Sequence, residues 1–397
     1  MKPFVLFLFL VLALPERFRA PSLQEYVAQN HRVFRLSKPD NAFGDLLAED
    51  IATHQVFFSS EEHAIAGNKV LEISLLRYLV KEAGVKYLLI EHGYCQAQWF
   101  AQYLATGDES ILRAEVQRLE GTLSHTQEFF RYWQQVYQLN QELTPENKIQ
   151  VVGIDLGWLP SVHPYVWQQA EGRNLTAFPS LAQFLARYHD SIPQAEWRAT
   201  FEGIVSEFEA NPGHSTFSAE QHFEIPYIFK NMLHSIEAFS QAEHLDIHRK
   251  RDGYMYKNFL ELYPRLSPGK YFGQWGLNHV YQSPQLEVNW LAARLEHQED
   301  SPVKGQVLSM ATYYRGCERI RWRSTETETL DNLIATGDSL GLHFQPNSFH
   351  LVRLNGAQSP FDRELLWYGP HTPSSGVTTD YYDYLVVGNQ LPSATPF

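Results

Sequence analysis

The sequence predicts an α/β fold: a mostly parallel sheet flanked by helices, with a large helical insertion between the third and fourth strands. Three observations carry this. Short apolar runs recur with helix-patterned stretches between them, as in strand–helix–strand units. Several of those runs end on acidic or imidazole-bearing residues. The stretch from Pro160 to Leu266 is helical in pattern throughout, broken at Pro179, Pro193, Asn211 to Gly213 and Pro226, and no linker flanks it.

The elements follow in order. Phe4 to Leu14 is an apolar run behind Lys2, too short for a membrane anchor but the length of a signal-peptide core. Residues 1–20 are therefore expected to be a signal peptide, which implies export to the periplasm or beyond; the alternative is a cytoplasmic protein whose first segment packs on the domain. Residues 21–397 are expected to form one α/β domain, with 160–266 as its helical insertion or cap. Leu23 to Phe34 reads as a helix, broken by Ser37 to Asn41. Val56 to Phe58 reads as a buried strand. Asn68 to Ala83 carries a helical apolar stripe that stops at Gly84. Tyr87 to Ile90 is the next strand, ending at Glu91, and this strand–helix–strand implies a parallel pair with a right-handed crossover. Helices are expected over Ala97 to Leu104 and Ser124 to Leu143. Ile149 to Ile154 is a third strand, ending at Asp155. Lys270 to Trp275, Val307 to Thr312, His350 to Leu354 and Tyr384 to Val387 complete the set.

Bulk properties narrow the function. The chain has 397 residues, 44% of them hydrophobic, and a net charge of −13. That balance excludes a nucleic-acid backbone as partner. The densest basic run, His248 to Arg251, reads as a solvated helix face. No later segment has the length and apolarity of a stable membrane span. Cys95 and Cys317 form no Cys-x-x-Cys, which excludes a zinc knuckle or a thioredoxin-like site. A disulfide between them and a nucleophilic Cys95 both stay open. A nucleophile elbow, a P-loop, a Gly-x-Gly-x-x-Gly turn and a His-Glu-x-x-His helix are all absent.

The strand ends hold the candidate chemistry. Glu61, Glu62 and His63 follow the first strand, Glu91 and His92 the second, and Asp155 the third. Asn278 and His279 follow the fourth. In open parallel sheets the ligand crevice lies outside the carboxyl ends of the strands, so these residues are expected to converge. A carboxylate beside an imidazole fixes its tautomer and lets it take a proton from water; either Glu61 or Glu62 could orient His63. Asn278 and His279 could face a developing oxyanion. Glu61, His63, Glu91 and His279 could alternatively hold a divalent metal. Otherwise no cofactor is expected.

The ordered motifs from about Asp45 to the carboxyl end resemble the erythromycin-esterase-like hydrolases, in a superfamily with haem-uptake and Wnt-cleaving relatives. Ser60 to Ala64 is similar to that superfamily's Gly-Glu-x-His-Gly loop, with Ser60 and Ala64 in place of its glycines. Asn68 with the Leu-rich helix to Leu79, Leu89 to Glu91, Tyr103 to Asp108, Gly153 to Asp155, Arg251 to Met255 with Asn258, Asn278 to Val280, Tyr382 to Leu385 and Ser393 to Pro396 resemble its later segments. The resemblance implies hydrolysis by an activated water on an ester, lactone or related carbonyl of a small molecule. It implies His63 as base, Glu61 and Glu91 as orienting carboxylates and His279 as electrostatic partner. Asn68, His92, Asp155 and Asn278 are the expected substrate-binding residues. The chain departs from the macrolide esterases at Ser60, where they carry Glu, and at Gly276, where they carry His. Their arginine after the first motif has only Lys69 or Arg77 nearby. A non-catalytic ligand-binding protein that reuses the crevice is the reading from a different class.

Overall fold

The computed structural model describes residues 20–37, 43–188, 192–322, 324, 326–334 and 339–397. The expected signal peptide, except Ala20, and most of the expected break at Ser37 to Asn41 lie outside the described residues.

Among the described residues, ten strands run in chain order: β1 (His31–Arg35), β2 (Val56–Glu61), β3 (Val85–Gly93), β4 (Gln150–Asp155), β5 (Lys270–Gly276), β6 (Val307–Arg315), β7 (Cys317–Ile320), β8 (Thr327–Leu330), β9 (Ser348–Arg353) and β10 (Tyr384–Asn389). Eight form one sheet in the order β1-β9-β10-β6-β2-β5-β3-β4, and β7 and β8 make a separate hairpin. Within the large sheet β9 runs against both its neighbours, and the other pairings are parallel. The α/β reading and the mostly parallel sheet are as the sequence predicts.

Both sheet faces are covered, which is why the strands read as continuous apolar runs. Successive residues of β2 point to opposite sides. Phe57, with Leu88, Phe272 and Leu308, packs under α3 (Ala66–Ala83), α4 (Tyr94–Thr106), α5 (Glu109–Arg118) and α6 (Gln127–Glu142). Val56 and Phe58, with Tyr87, Leu89 and Tyr271, pack under α7 (Leu159–Ala170), α8 (Pro179–Arg187), α9 (Arg198–Ala210), α10 (Ala219–Phe239) and α11 (His244–Leu262). Those five helices lie between β4 and β5, where the insertion is expected. Each fully buried Phe, Leu or Val contributes about 1.5–3 kcal/mol, so the two faces supply most of what holds the sheet.

Three expectations need correction. Leu23 to Phe34 is not one helix: α1 (Leu23–Gln29) ends at Asn30, and β1 follows. Val33 and Phe34 favour a strand, and β9 supplies the partner edge. Second, β2 and β3 are parallel but not paired, because β5 lies between them. Third, α2 (Gly44–Leu47), α5 and the β7–β8 hairpin lie where the sequence reading placed no element. Asp108 caps α5, accepting from Ser110 N at 2.9 Å.

Cys95 and Cys317 are buried free thiols. Burial pushes the Cys95 thiol well up, and the charges of Glu115 and Glu224 add to it, so it is held as a neutral core side chain. Among the described residues, no helix is long and apolar enough to cross a membrane.

Candidate active site

Strands β2, β5, β3 and β4 are contiguous and parallel, so their carboxyl ends form one row. That row brings Glu61, Glu91 and Asp155 together, with His279 on a short 3-10 turn (Leu277–Val280) directly after β5.

At the β2 end, Ser60 takes over where the ladder to β6 stops at Ser59. Its Oγ accepts from Thr312 N at 2.6 Å, and its carbonyl accepts from Thr312 Oγ1 at 2.7 Å. Glu61 is therefore held at a fixed height. His63 Nδ1 lies 2.8 Å from Glu61 Oε1. A carboxylate only accepts, so Nδ1 carries the proton and the neutral ring keeps its lone pair on Nε2. The ring is 39% exposed, open to the cleft. Glu62 plays no part in this pair: it binds Arg319 at 3.0 Å. Ala64 follows at φ +63°, the left-handed region that the resembling loop fills with glycine.

Lys69 is the first residue the sequence reading left without a role. From α3 it reaches Glu72 at 2.7 Å and Glu61 at 3.2 Å. With its Nε2 turned to the same carboxylates, Gln274 donates to Glu61 at 2.8 Å and Glu72 at 3.1 Å. Burial raises the Glu61 pKa, but Lys69 and His63 outweigh it and hold the carboxyl near 2. Burial works against a charged His63, and the hydrogen bond and charge of Glu61, with Glu91, leave its pKa above the ordinary value.

The second missed residue is Arg251. It belongs to the basic run read as a solvated face, yet its side chain is only 16% exposed. Arg249 and Lys250 do pair near the surface, with Asp246 and Glu237. Arg251 instead forks onto Asp155, with Nε 2.9 Å from Oδ1, while Nη2 reaches Glu91 Oε1 at 2.9 Å and Nη1 lies 3.1 Å from His279 Nε2. The backbone N of Gly276 donates to Glu91 Oε2 at 2.6 Å, so the main chain holds this carboxylate. His279 Nδ1 faces Asp252 Oδ1 at 2.9 Å, and Nε2 lies 3.4 Å from Glu91 Oε1. Burial opposes protonation of His279, but the two carboxylates raise its pKa to about 10. Arg251 Nη1 pulls the other way, because a protonated Nε2 would face a cation. In either state Nδ1–H donates to Asp252.

A recess of about 170 Å³ is lined by Glu61, His63, Lys69, Glu91, His92 and Arg251. A second, of about 520 Å³, shares Glu91, His92 and Arg251 and extends to Asp155. Trp158, Phe239 and Trp322 line it, and they are 38%, 59% and 56% exposed. His92 stays neutral because burial lowers its pKa to about 4; it packs against Phe100 and Phe129. The other expected residues sit behind the walls. Asn68 is buried, donating to Glu62 O at 2.7 Å and accepting from Tyr314 at 2.8 Å. Asn278 lines neither recess. Permanent cations already pair with the carboxylates of the expected metal set, Lys69 with Glu61 at 3.2 Å and Arg251 with Glu91 at 2.9 Å. Among the described residues, the group that comes within ligand distance is His248, Asp252 and His279.

No family model and no curated protein matches the chain by sequence. Solved structures do match by shape. A protein from Bacillus cereus aligns with TM-score 0.70 and 17% identity, over 94% of this chain and 98% of that one. A succinoglycan biosynthesis protein aligns with TM-score 0.69 and 12% identity, over the same shares. A mutant of the erythromycin esterase EreC in its open conformation aligns with TM-score 0.66 and 16% identity, over 92% and 98%. Over nearly its whole length, then, the chain has an erythromycin-esterase-like fold.

Proposed function

We propose that this protein is a hydrolase in which His63 takes a proton from water as that water attacks an ester, lactone or related carbonyl of a small molecule. The observation that carries the reading is the Glu61–His63 pair, 2.8 Å apart at the mouth of the cleft. Its Nε2 makes no hydrogen bond among the described residues and is free to act as base. Glu61 stabilises the imidazolium that forms. Arg251 and His279 supply positive charge toward the oxygen on which negative charge develops, and Glu91 and Asp155 hold Arg251 in place. His92 presents a neutral ring to substrate, and the exposed aromatic side chains of the second recess would take its apolar portion. Asn68 acts through the loop it braces at Glu62, and the Asn278 carbonyl accepts from Tyr281 N at 3.3 Å in the turn that carries His279. One protein with this fold is named an erythromycin esterase, and ester hydrolysis is the chemistry this reading brings to the chain.

The test is a panel of esters and lactones against the full chain and His63→Ala. Turnover should fall by at least ~10²-fold, the usual contribution of a general base, with the melting temperature nearly unchanged. Full activity in the variant would sink the assignment. If the unaltered protein turns over nothing but a panel member raises its melting temperature, the crevice is a binding site instead.

A further inference from the structure

On the Nδ1 side of the His279 ring, opposite Glu91 and Arg251, lies a second polar cluster, of which the hydrolytic reading uses His279 alone. One ligand atom each from His248, Asp252 and His279 lies within 4.8 Å of the other two. His248 and Asp252 are four residues apart on α11 and share a face. Asp252 is fully buried. Its Oδ1 accepts from Leu291 N at 2.8 Å and faces His279 Nδ1, but its Oδ2 has no hydrogen-bond partner among the described residues. His248 Nδ1 is buried and, among the described residues, unpartnered as well. A buried polar atom left unsatisfied costs about 1–3 kcal/mol, more when charged, and here two of the three grouped residues each carry one. Arg294 acts on Asp252 through charge alone: it donates Nε to Asn289 O at 2.7 Å and makes no bond to the carboxylate among the described residues.

We propose that His248, Asp252 and His279 bind a divalent transition-metal ion, with Zn²⁺ the best fit. Two imidazoles and one carboxylate are the borderline donor set that Zn²⁺ takes, whereas Ca²⁺ and Mg²⁺ require oxygens. Coordination through His279 Nδ1 replaces the Nδ1–H that donates to Asp252 in the metal-free ring and moves the proton to Nε2, where Glu91 Oε1, 3.4 Å away, would accept it once Arg251 Nη1, now at 3.1 Å, turned aside; that is the carboxylate–histidine–metal arrangement that orients metal-bound imidazoles. The ion would lie behind His279, away from His63. This site does not depend on the hydrolytic reading and could exist in a protein with no esterase activity.

The experiment is titration of the chelator-treated full chain with Co²⁺, followed by visible ligand-field absorption, and with Zn²⁺ by calorimetry. One ion should bind per chain. His248→Ala and Asp252→Asn should each weaken Zn²⁺ binding by about 10–100-fold. His244 supplies the control: its Nε2 lies 3.2 Å from His248 Nε2 on the exposed face, a surface pair that could bind metal by itself. His244→Ala should leave the affinity unchanged. The proposal is overturned if Zn²⁺ does not bind, if His248→Ala binds it as well as the parent, or if binding is lost with His244→Ala. Should Asp252→Asn fail to fold, His248→Ala, at a partly exposed position, decides the matter together with His244→Ala.

Discussion

His63 is pulled two ways: burial favours its neutral form, and the carboxylates of Glu61 and Glu91 favour the charged one and prevail. A base works only when deprotonated. Activity should therefore be lost as pH falls through a His63 pKa above the ordinary 6.5. Glu61→Gln keeps the shape and an acceptor for Nδ1–H but removes the charge. The acidic limb of the kcat/KM profile should then move to lower pH, and kcat should fall by ~10–100-fold because the imidazolium loses its counter-charge. A pH–rate profile that does not move would show that Glu61 is not acting through His63. The spacing of this pair is visible in the sequence. Which of two adjacent glutamates serves it is not, because Arg319, which takes Glu62, is 257 positions away. Arg251 was hidden differently. Three successive cations on a helix look alike in sequence, although each residue turns the side chain by about 100°.

At the scale of elements, the close approach of β3 and β4 sets the site. The β3 register to β4 shifts between Ile90 and Gly93, and across that irregularity Glu91 and His92 both reach the cleft. Gly153 in β4 is what lets the chains come this near: a Cβ there would lie 2.5 Å from Gly93 O and 2.7 Å from His92 O. Both are backbone atoms and cannot swing aside. Gly153→Ala should cost about 1–3 kcal/mol and also lower kcat, because the displaced segment carries Glu91, His92 and, two residues on, Asp155. Gly44→Ala is the matched control, since nothing lies within 4 Å of its added methyl; it should change neither melting temperature nor rate. Normal kcat in Gly153→Ala would mean that this contact does not position the carboxylates. The buried parallel strands were legible because both faces are apolar. Strand β1 was not: its burial falls mainly on Phe34, and its pairing depends on β9, more than 300 residues away. Local periodicity therefore extended the preceding helix through it.

At the scale of the molecule, the row of strand ends depends on β5 inserting between β2 and β3, after α11 has brought Arg251 and Asp252 to the site. Periodicity locates strands but carries no information on their lateral order, so convergence could be expected from the sequence while the cations that complete it could not. The assembled cleft is acidic on balance. Glu61, Glu72, Glu91 and Asp155 face two permanent cations, Lys69 and Arg251, in a chain of net charge −13. Low-dielectric walls focus such a field, so a cationic substrate should be drawn in and an anionic one repelled. For a matched pair of esters differing only in a remote ammonium or carboxylate, kcat/KM should favour the ammonium ester several-fold at low salt. The gap should narrow as ionic strength rises past ~0.1 M, where the screening length falls to about 10 Å. The comparison requires initial rates for both esters across a salt series. A preference for the carboxylate ester would mean that Arg251, despite its two carboxylate partners, dominates the field that substrate meets.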